Sequence, residues 1–188
     1  MKNSIFLALF ALIAFIAKAQ DNKTPFMTKS FTAGSFDEAE VQTSGGSITV
    51  TGSGEAPRVE VYIQPSKRNN GNLSKEEIQR KLDEDYELNV SVEGSTLVAK
   101  AKRKHKNINW KKALSISFKL FVPKNTNTDL ATSGGSIRLT SLSGNHDFAT
   151  SGGSLHLEEV SGKMDGRTSG GSIHVKNCSN EMELATSG

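Results

Sequence analysis

The sequence predicts an all-β protein, folded as a single-stranded β-solenoid with coils of 18 residues. The phrase Thr-Ser-Gly-Gly-Ser, followed by Ile or Leu, begins at Thr43, Thr132, Thr150 and Thr168, and a further copy begins at Thr186. The last four of these starts are each 18 residues apart. A fixed short period is typical of stacked repeats, in which one unit cannot bury its own apolar face and needs its neighbours.

The pattern inside the repeat units, residues 132–149, 150–167 and 168–185, predicts short half-buried strands. Apolar residues share the sixth, eighth and eleventh positions, and an Arg or His stands at the seventh. The aligned rows are Ile137, Leu155 and Ile173; Leu139, Leu157 and Val175; Leu142, Val160 and Cys178; and, at the seventeenth position, Phe148, Gly166 and Leu184. Because apolar and polar residues alternate, we expect two or three strands per coil. Equivalent rows should stack about 4.8 Å apart.

Composition agrees with thin β-layers. The chain of 188 residues is only 35% hydrophobic and contains 17 glycines, which favours turns over a thick core. It has one cysteine, so no internal disulfide can form.

The first 19 residues have the pattern of a secretory signal peptide. Lys2 precedes an apolar run over residues 5–17, and Ala17-Lys18-Ala19 is a small-x-small cleavage site. The alternative is a retained membrane anchor, but the run is too short to span a bilayer comfortably. We therefore expect residues 1–19 to be removed and residues 20–188 to be exported to the periplasm, the cell surface or the medium, with no transmembrane segment left.

Cleavage also removes the excess of positive charge. Without Lys2 and Lys18, 21 of the 23 basic residues remain against 20 acidic ones, a formal charge of +1. The basic character of the whole chain is therefore no evidence for nucleic-acid binding.

Between the first and second copies of the phrase, about residues 58–123, we expect an insertion with its own elements. Residues 58–64 alternate as a strand. Ser74 is a good N-cap, Glu77 completes a capping box, and Ile78 and Leu82 share one face, which predicts a short helix ending near residue 85. Residues 88–99 read as a β-hairpin with a turn at 93–95, and residues 114–120 read as a strand that ends before Pro123.

Taken together, these residues resemble the bacterial putative-adhesin family of β-strand-repeat proteins, a domain family of unknown function. The resemblance is carried by residues 41–48, the helix start at 74–78, the strand at 114–118 leading to Val122-Pro123-Lys124, and the regular coils of 132–188. It covers nearly the whole mature chain and implies a right-handed, β-helix-like solenoid with no catalytic residues to carry over. Because the sequence stops inside a further copy of the phrase, we expect either an array truncated at its C-terminus or a last coil that is left uncapped.

Two rows of equivalent residues in successive units could carry metal or acid–base chemistry. For both rows we favour the simpler interpretation, a solvated surface. His156 and His174 share the seventh position, but Arg138 stands in the same row, and a zinc or copper site needs three or four ligands. The sixteenth position holds Asp147, Asp165 and Glu183. Stacked carboxylates suit calcium or a glycosidase acid–base pair, yet the calcium-binding Gly-Gly-x-Gly-x-Asp pattern is missing from the repeat.

Two other features have both a functional and a structural interpretation. Cys178 lies in an apolar row and is interpreted as a small core residue. A basic run with the only Trp of the chain could form an interaction patch or could be a lysine-protected hairpin end. Its residues are Lys102, Arg103, Lys104, Lys106, Trp110 and Lys111.

The function predicted from the sequence is a non-catalytic, structural or adhesin-like surface protein that needs no cofactor. Thr and Ser ladders would offer hydroxyl groups to a polysaccharide or a cell-surface protein. The alternatives are a carbohydrate-active β-helix enzyme and an envelope sensory module. The sequence lacks the Gly-x-Ser-x-Gly, phosphate-loop and His-Glu-x-x-His motifs.

Overall fold

The computed structural model describes residues 24–65, 73–105 and 113–188, which form two β-sheets and a short helix. The helix is α1, Lys75–Asp85. In chain order the strands are β1 Met27–Ser30, β2 Glu38–Thr43, β3 Ile48–Gly52, β4 Arg58–Pro65, β5 Tyr86–Glu93, β6 Thr96–Arg103, β7 Leu114–Val122, β8 Asn127–Thr132, β9 Ile137–Thr140, β10 Ser143–Thr150, β11 Leu155–Glu158, β12 Ser161–Thr168, β13 Ile173–Lys176 and β14 Ser179–Thr186. The first sheet has the strand order β1-β4-β7-β3-β9-β11-β13, and the second sheet has the order β14-β12-β10-β8-β2-β6-β5.

The prediction of a right-handed single-stranded β-solenoid is wrong, although the protein is all-β as expected. Both sheets have seven strands and both are mixed. The strand pairs β1–β4, β4–β7 and β5–β6 are antiparallel, whereas β7 joins the first sheet by pairing in parallel with β3. The segment expected to be an insertion therefore supplies strands to both sheets, which a uniform coil would not do.

The 18-residue period is the step between parallel neighbours in the periodic part of each sheet. Leu155 pairs with Ile137 on one side and with Ile173 on the other, and Asp165 pairs with Asp147 and Glu183 in the same way. The predicted inward rows of the first two units are buried between the sheets: Ile137, Leu139, Leu142, Phe148, Leu155, Leu157 and Val160. The inward and outward assignment is thus confirmed for these units.

The Thr-Ser-Gly-Gly-Ser phrase builds the corner between one sheet and the other. The Thr132, Thr150 and Thr168 hydroxyls are buried and donate to glycine carbonyl oxygens at 2.8, 2.8 and 2.7 Å. A Cβ on Gly153 would collide with the carbonyl of Gly135, so only glycine allows these corners to stack. The phrase is therefore structural, and its Thr hydroxyls are not offered to solvent as the sequence suggested.

The helix and hairpin follow the sequence prediction. The Glu77 amide donates to the Ser74 hydroxyl at 3.2 Å, and the Ser74 amide donates to the Glu77 carboxylate at 2.9 Å, which completes the capping box. Ile78 and Leu82 are buried. Strand β5 is the outer strand of the second sheet, so the helix and hairpin lie at the end of the sheets opposite to β13 and β14.

The third unit is much less covered than the first two. Strands β13 and β14 are the last strands of their sheets, and within the described residues Val175 and Met182 are the exposed large hydrophobic residues. Cys178 is half-buried rather than enclosed in the core, because no further strand packs on its row.

Candidate functional site

A groove runs along the corner where successive strands of the second sheet end. It has a volume of about 530 Å³ and crosses all the stacked units. We call it the serine groove. Its repeating lining residues are Ala131, Ala149 and Ala185, followed two residues later by Ser133, Ser151 and Ser187, with Ser44 and Ser169 in the same serine row.

The register of the second sheet produces this repetition. Ala149 pairs with Ala131 on one side and with Arg167 on the other, and Arg167 pairs with Ala185. Small side chains leave a shallow floor, and Ser133, Ser151 and Ser169 are exposed along it. Each unit therefore presents one serine hydroxyl, and the hydroxyls of neighbouring strands lie about 4.8 Å apart.

Two cations line the serine groove, and one of them, Arg167, interrupts the alanine row of its floor. Lys102 lines it from β6, and Arg167 lines it from β12. An Arg167 guanidinium nitrogen lies 3.1 Å from an Asp165 carboxylate oxygen, so Arg167 also stands between the groove and the neighbouring row of carboxylates.

The structure describes three residues of the basic patch that the sequence suggested, Lys102, Arg103 and Lys104. Lys102 is exposed in the serine groove, whereas Arg103 is half-buried at the end of β6. The Lys104 ammonium donates to the Asp83 carbonyl at 2.5 Å, near the C-terminus of α1, where a cation is stabilised by the helix dipole. Lys106, Trp110 and Lys111 lie outside the described residues, so the patch as a whole stays a prediction. Strand β6 pairs with β2 as far as Lys100 and with β5 as far as Arg103, so the alternative interpretation as a lysine-protected hairpin end stays a prediction as well.

The acidic row is longer than the repeat alone predicted. Asp147, Asp165 and Glu183 align on the outer face of the second sheet, and the register adds Asp129 and Glu40. Partial burial raises the pKa of the Asp129 carboxyl, and the charges of Asp147 and Glu40 raise it further. The Lys100 ammonium nitrogen lies 2.5 Å from a Glu40 carboxylate oxygen, so the negative charge of the row is neutralised in part.

The two ladder histidines stack face to face. The rings of His156 and His174 have centroids 4.8 Å apart and are inclined by 5°, and Arg138 precedes them in the row. Partial burial lowers the pKa of His156, and Arg138 and His174 lower it further. Across the described residues, no group of three or more His, Cys, Asp or Glu is placed to hold a metal ion.

A buried histidine was missed by the sequence analysis. His146 is 2% exposed, and its Nδ1 lies 3.0 Å from the Thr128 hydroxyl, while Nε2 has no hydrogen-bond partner in the described part of the chain. Burial lowers its pKa from 6.5 to about 4, so the imidazole is neutral at pH 7. The signal for this burial was present in the repeat, because Met164 and Met182 occupy the equivalent position of the next two units.

The protein is all-β, with two mixed sheets in which several neighbouring strands are parallel and 18 residues apart. No family model matches the chain, and no curated protein matches it. A "putative cell adhesion protein" from Clostridium sporogenes is 9% identical, with 85% of this chain and 97% of that chain covered and a TM-score of 0.42. A "putative adhesin" from Bacteroides fragilis is 11% identical, with 85% and 95% covered and a TM-score of 0.32. A "putative lipid binding protein" from Parabacteroides distasonis is 13% identical, with 89% and 96% covered and a TM-score of 0.29.

These likenesses are distant. The adhesin names agree with the resemblance seen in the sequence, but they belong to proteins of low identity and give this chain neither a family nor a ligand. The predicted signal peptide, residues 1–19, lies outside the described residues. No helix in the described ranges has the length and hydropathy needed to cross a membrane.

Proposed function

We propose that this chain is an exported, non-catalytic interaction protein of the bacterial surface that binds an extended polysaccharide in the serine groove. The observation that carries the proposal is the in-register serine row along one groove of about 530 Å³, above a row of alanines in which Arg167 takes one position. A polysaccharide with a regular repeat can place successive sugars against successive units of the protein. Weak contacts then add up along the groove.

The chemistry of the groove suits a sugar polymer. Exposed hydroxyls of Ser133, Ser151 and Ser169 both donate and accept hydrogen bonds, as sugar hydroxyls do. Arg167 and Lys102 add donors that match acceptor oxygens or the carboxylate of an acidic sugar. The alanines between them leave space for a ring to lie close to the sheet.

The alternative of a carbohydrate-active enzyme is less well supported. Glycoside hydrolysis needs a pair of carboxyl groups on either side of the bond to be cleaved. The described residues that line the serine groove include no carboxylate, histidine or cysteine. The carboxylates of the acidic row lie side by side on one sheet face, with Asp165 already paired to Arg167.

Binding should be measured by biolayer interferometry on immobilised neutral and uronate-containing polysaccharides. Ala149→Trp fills the groove floor and should weaken binding at least tenfold. Asn145→Trp is the matched control, because Asn145 is exposed on the same strand but outside the groove. Equal binding by the two variants, or cleavage of a polysaccharide that is lost in Asp165→Asn, would contradict the proposal.

A further inference from the structure

The outer face of the first sheet carries a row of positively charged and titratable side chains. Thr49 of β3 pairs with Lys119 of β7 on one side and with Arg138 of β9 on the other. From Arg138 the row continues to His156 of β11 and to His174 of β13. We call Lys119, Arg138, His156 and His174 the cationic row. A strand added beside β13 would lengthen this row and leave its outer face open, so the surface does not depend on the edge of the sheet.

The protein leaves the hydrogen-bond donors at the centre of the cationic row without acceptors. Among the described residues, the Arg138 guanidinium has neither an ion pair nor a hydrogen bond. The rings of His156 and His174 stack on each other with their centroids 4.8 Å apart. Glu158 lies on the same face, two residues after His156, but its carboxylate is already bound by the Lys176 ammonium at 2.6 Å. Positive charge and free N–H groups therefore face outward.

The outer face of the second sheet carries the opposite charge. Its acidic row consists of Glu40, Asp129, Asp147, Asp165 and Glu183. Because the two signs are separated on two sheets, a polyanion is repelled from one outer face and attracted to the other. The charge distribution therefore favours an anionic partner on the first sheet.

We propose that the cationic row binds a densely charged anionic polysaccharide, and that this surface is separate from the serine groove. It shares with the proposed function only the class of partner, since no residue of the row lines that groove. The row is one side chain wide and advances by about 4.8 Å per strand, which suits a linear polymer whose charges recur along its length. Ser136 and Thr140, two residues before and after Arg138, add hydroxyl groups beside the row.

A flat anionic membrane is a poorer partner for this face. Glu60 pairs with Lys119 on the outer face, and Glu158 lies beside His156. A lipid surface would press both carboxylates against negative headgroups, which is unfavourable. A narrow polymer can follow the cations and avoid the two carboxylates.

The two histidines make the proposed binding depend on pH. Arg138 faces His156 from β9, His174 and Lys176 face it from β13, and Glu158 follows it on its own strand. Burial lowers the pKa of His156, and the charges of Arg138 and His174 lower it further, so this imidazole is mostly neutral at pH 7. An anion over the row offsets the repulsion between these cations and favours the protonated imidazole. Affinity should therefore rise as the pH falls.

The probe is dextran sulfate, with uncharged dextran as its matched control, in biolayer interferometry at about pH 8 and about pH 5. Sulfate esters stay ionised throughout this range, so a change in affinity reports on groups of the protein. Wild type should bind dextran sulfate roughly tenfold more tightly at the lower pH. The double variant His156→Gln with His174→Gln should lose this pH dependence, whereas His146→Met, which changes a buried histidine, should keep it. Arg138→Gln should weaken binding roughly fivefold at both pH values, and Lys163→Gln, which removes a positive charge from the second sheet, should not.

Four results would overturn the proposal. They are no binding of dextran sulfate by wild type, equal binding by Arg138→Gln and Lys163→Gln, an unchanged pH dependence in the double histidine variant, and tighter binding to vesicles of anionic lipid than to dextran sulfate. Ala149→Trp separates this surface from the serine groove, because it should keep the pH-dependent binding of dextran sulfate. Loss of that binding in Ala149→Trp would assign it to the groove and overturn the second surface alone.

Discussion

The ring of Phe148 fills the space that a side chain at Gly166 would need. The two residues are direct partners in adjacent parallel strands, β10 and β12, and Phe148 is 1% exposed. A Cβ on Gly166 would overlap the ring and would also lie 2.7 Å from Leu184 Cδ2. The seventeenth position of the repeat therefore alternates a large and a very small residue, which lets an aromatic ring fit between stacked units.

Gly166→Ala should lower the free energy of unfolding by about 1–3 kcal/mol, because a methyl group is forced into a filled site. Urea denaturation followed by circular dichroism measures the loss. Phe148→Leu combined with Gly166→Ala should recover part of it, since the smaller side chain vacates the overlap. Gly45→Ala is the control, because a Cβ there meets no atom within 4 Å. Equal midpoints for Gly166→Ala and Gly45→Ala would show that this packing is absent.

His146 should make stability depend on pH below neutrality. Its pKa is about 4 when folded and 6.5 when unfolded, so the unfolded chain binds more protons between these values and stability rises with pH. The contribution of neutral His146 to the free energy of unfolding is complete above pH 6.5. On the order of 3 kcal/mol of that free energy is lost as the pH falls from 6.5 to 4.

The test is the free energy of unfolding measured at several pH values for wild type and His146→Met. Methionine is the natural residue at this position in the next two units, so the variant should fold and its slope between pH 4 and 6.5 should be flatter. His174→Ser, which changes an exposed ring, should keep the wild-type slope. A His146→Met protein with the same slope as wild type would show that His146 is not the titrating group.

The sequence predicted well those features that depend on neighbouring residues. The capping box at Ser74, the hairpin of β5 and β6 and the alternation along β7 are local, and each was found where expected. The pairing of β3 with β7 joins Ile48 to Phe118, across a segment with no periodicity. A two-sheet arrangement was therefore not predictable from local pattern.

The candidate site was only partly predictable, because it too depends on pairing between residues that are distant in the sequence. The repeat identified the Ser and Thr ladders, but the direction of the Thr hydroxyls depends on glycine carbonyls at the corner, as with Thr150 and Gly135. Val175 follows the apolar pattern and is nevertheless exposed, because burial requires a strand beyond it. The serine groove is formed by the ends of six strands, β2, β6, β8, β10, β12 and β14. No local sequence pattern predicts that these ends lie side by side.

Export predicts the mass of the mature protein. Cleavage after Ala19 would leave Gln20 as the first residue, in agreement with the small-x-small rule. Intact-mass spectrometry of the protein recovered from outside the cytoplasm should lack the mass of residues 1–19. Ala17→Arg, which breaks the cleavage site, should retain that mass. Recovery of a wild-type chain that still begins with Met1 would contradict the export prediction.

The stacking of units in an 18-residue register is tested most directly by comparing two adjacent substitutions, Leu157→Asp and His156→Asp. Leu157 is 2% exposed and pairs with Leu139 and Val175, whereas the His156 side chain points to the outer face. Burying an unpartnered carboxylate at position 157 should cost roughly 3 kcal/mol or more, while the outward change should cost less than about 0.5 kcal/mol. The measurement is the urea midpoint of both variants at a protein concentration where the chain is monomeric. A much lower midpoint for Leu157→Asp alone is the predicted result, and equal midpoints would contradict the register on which the serine groove depends.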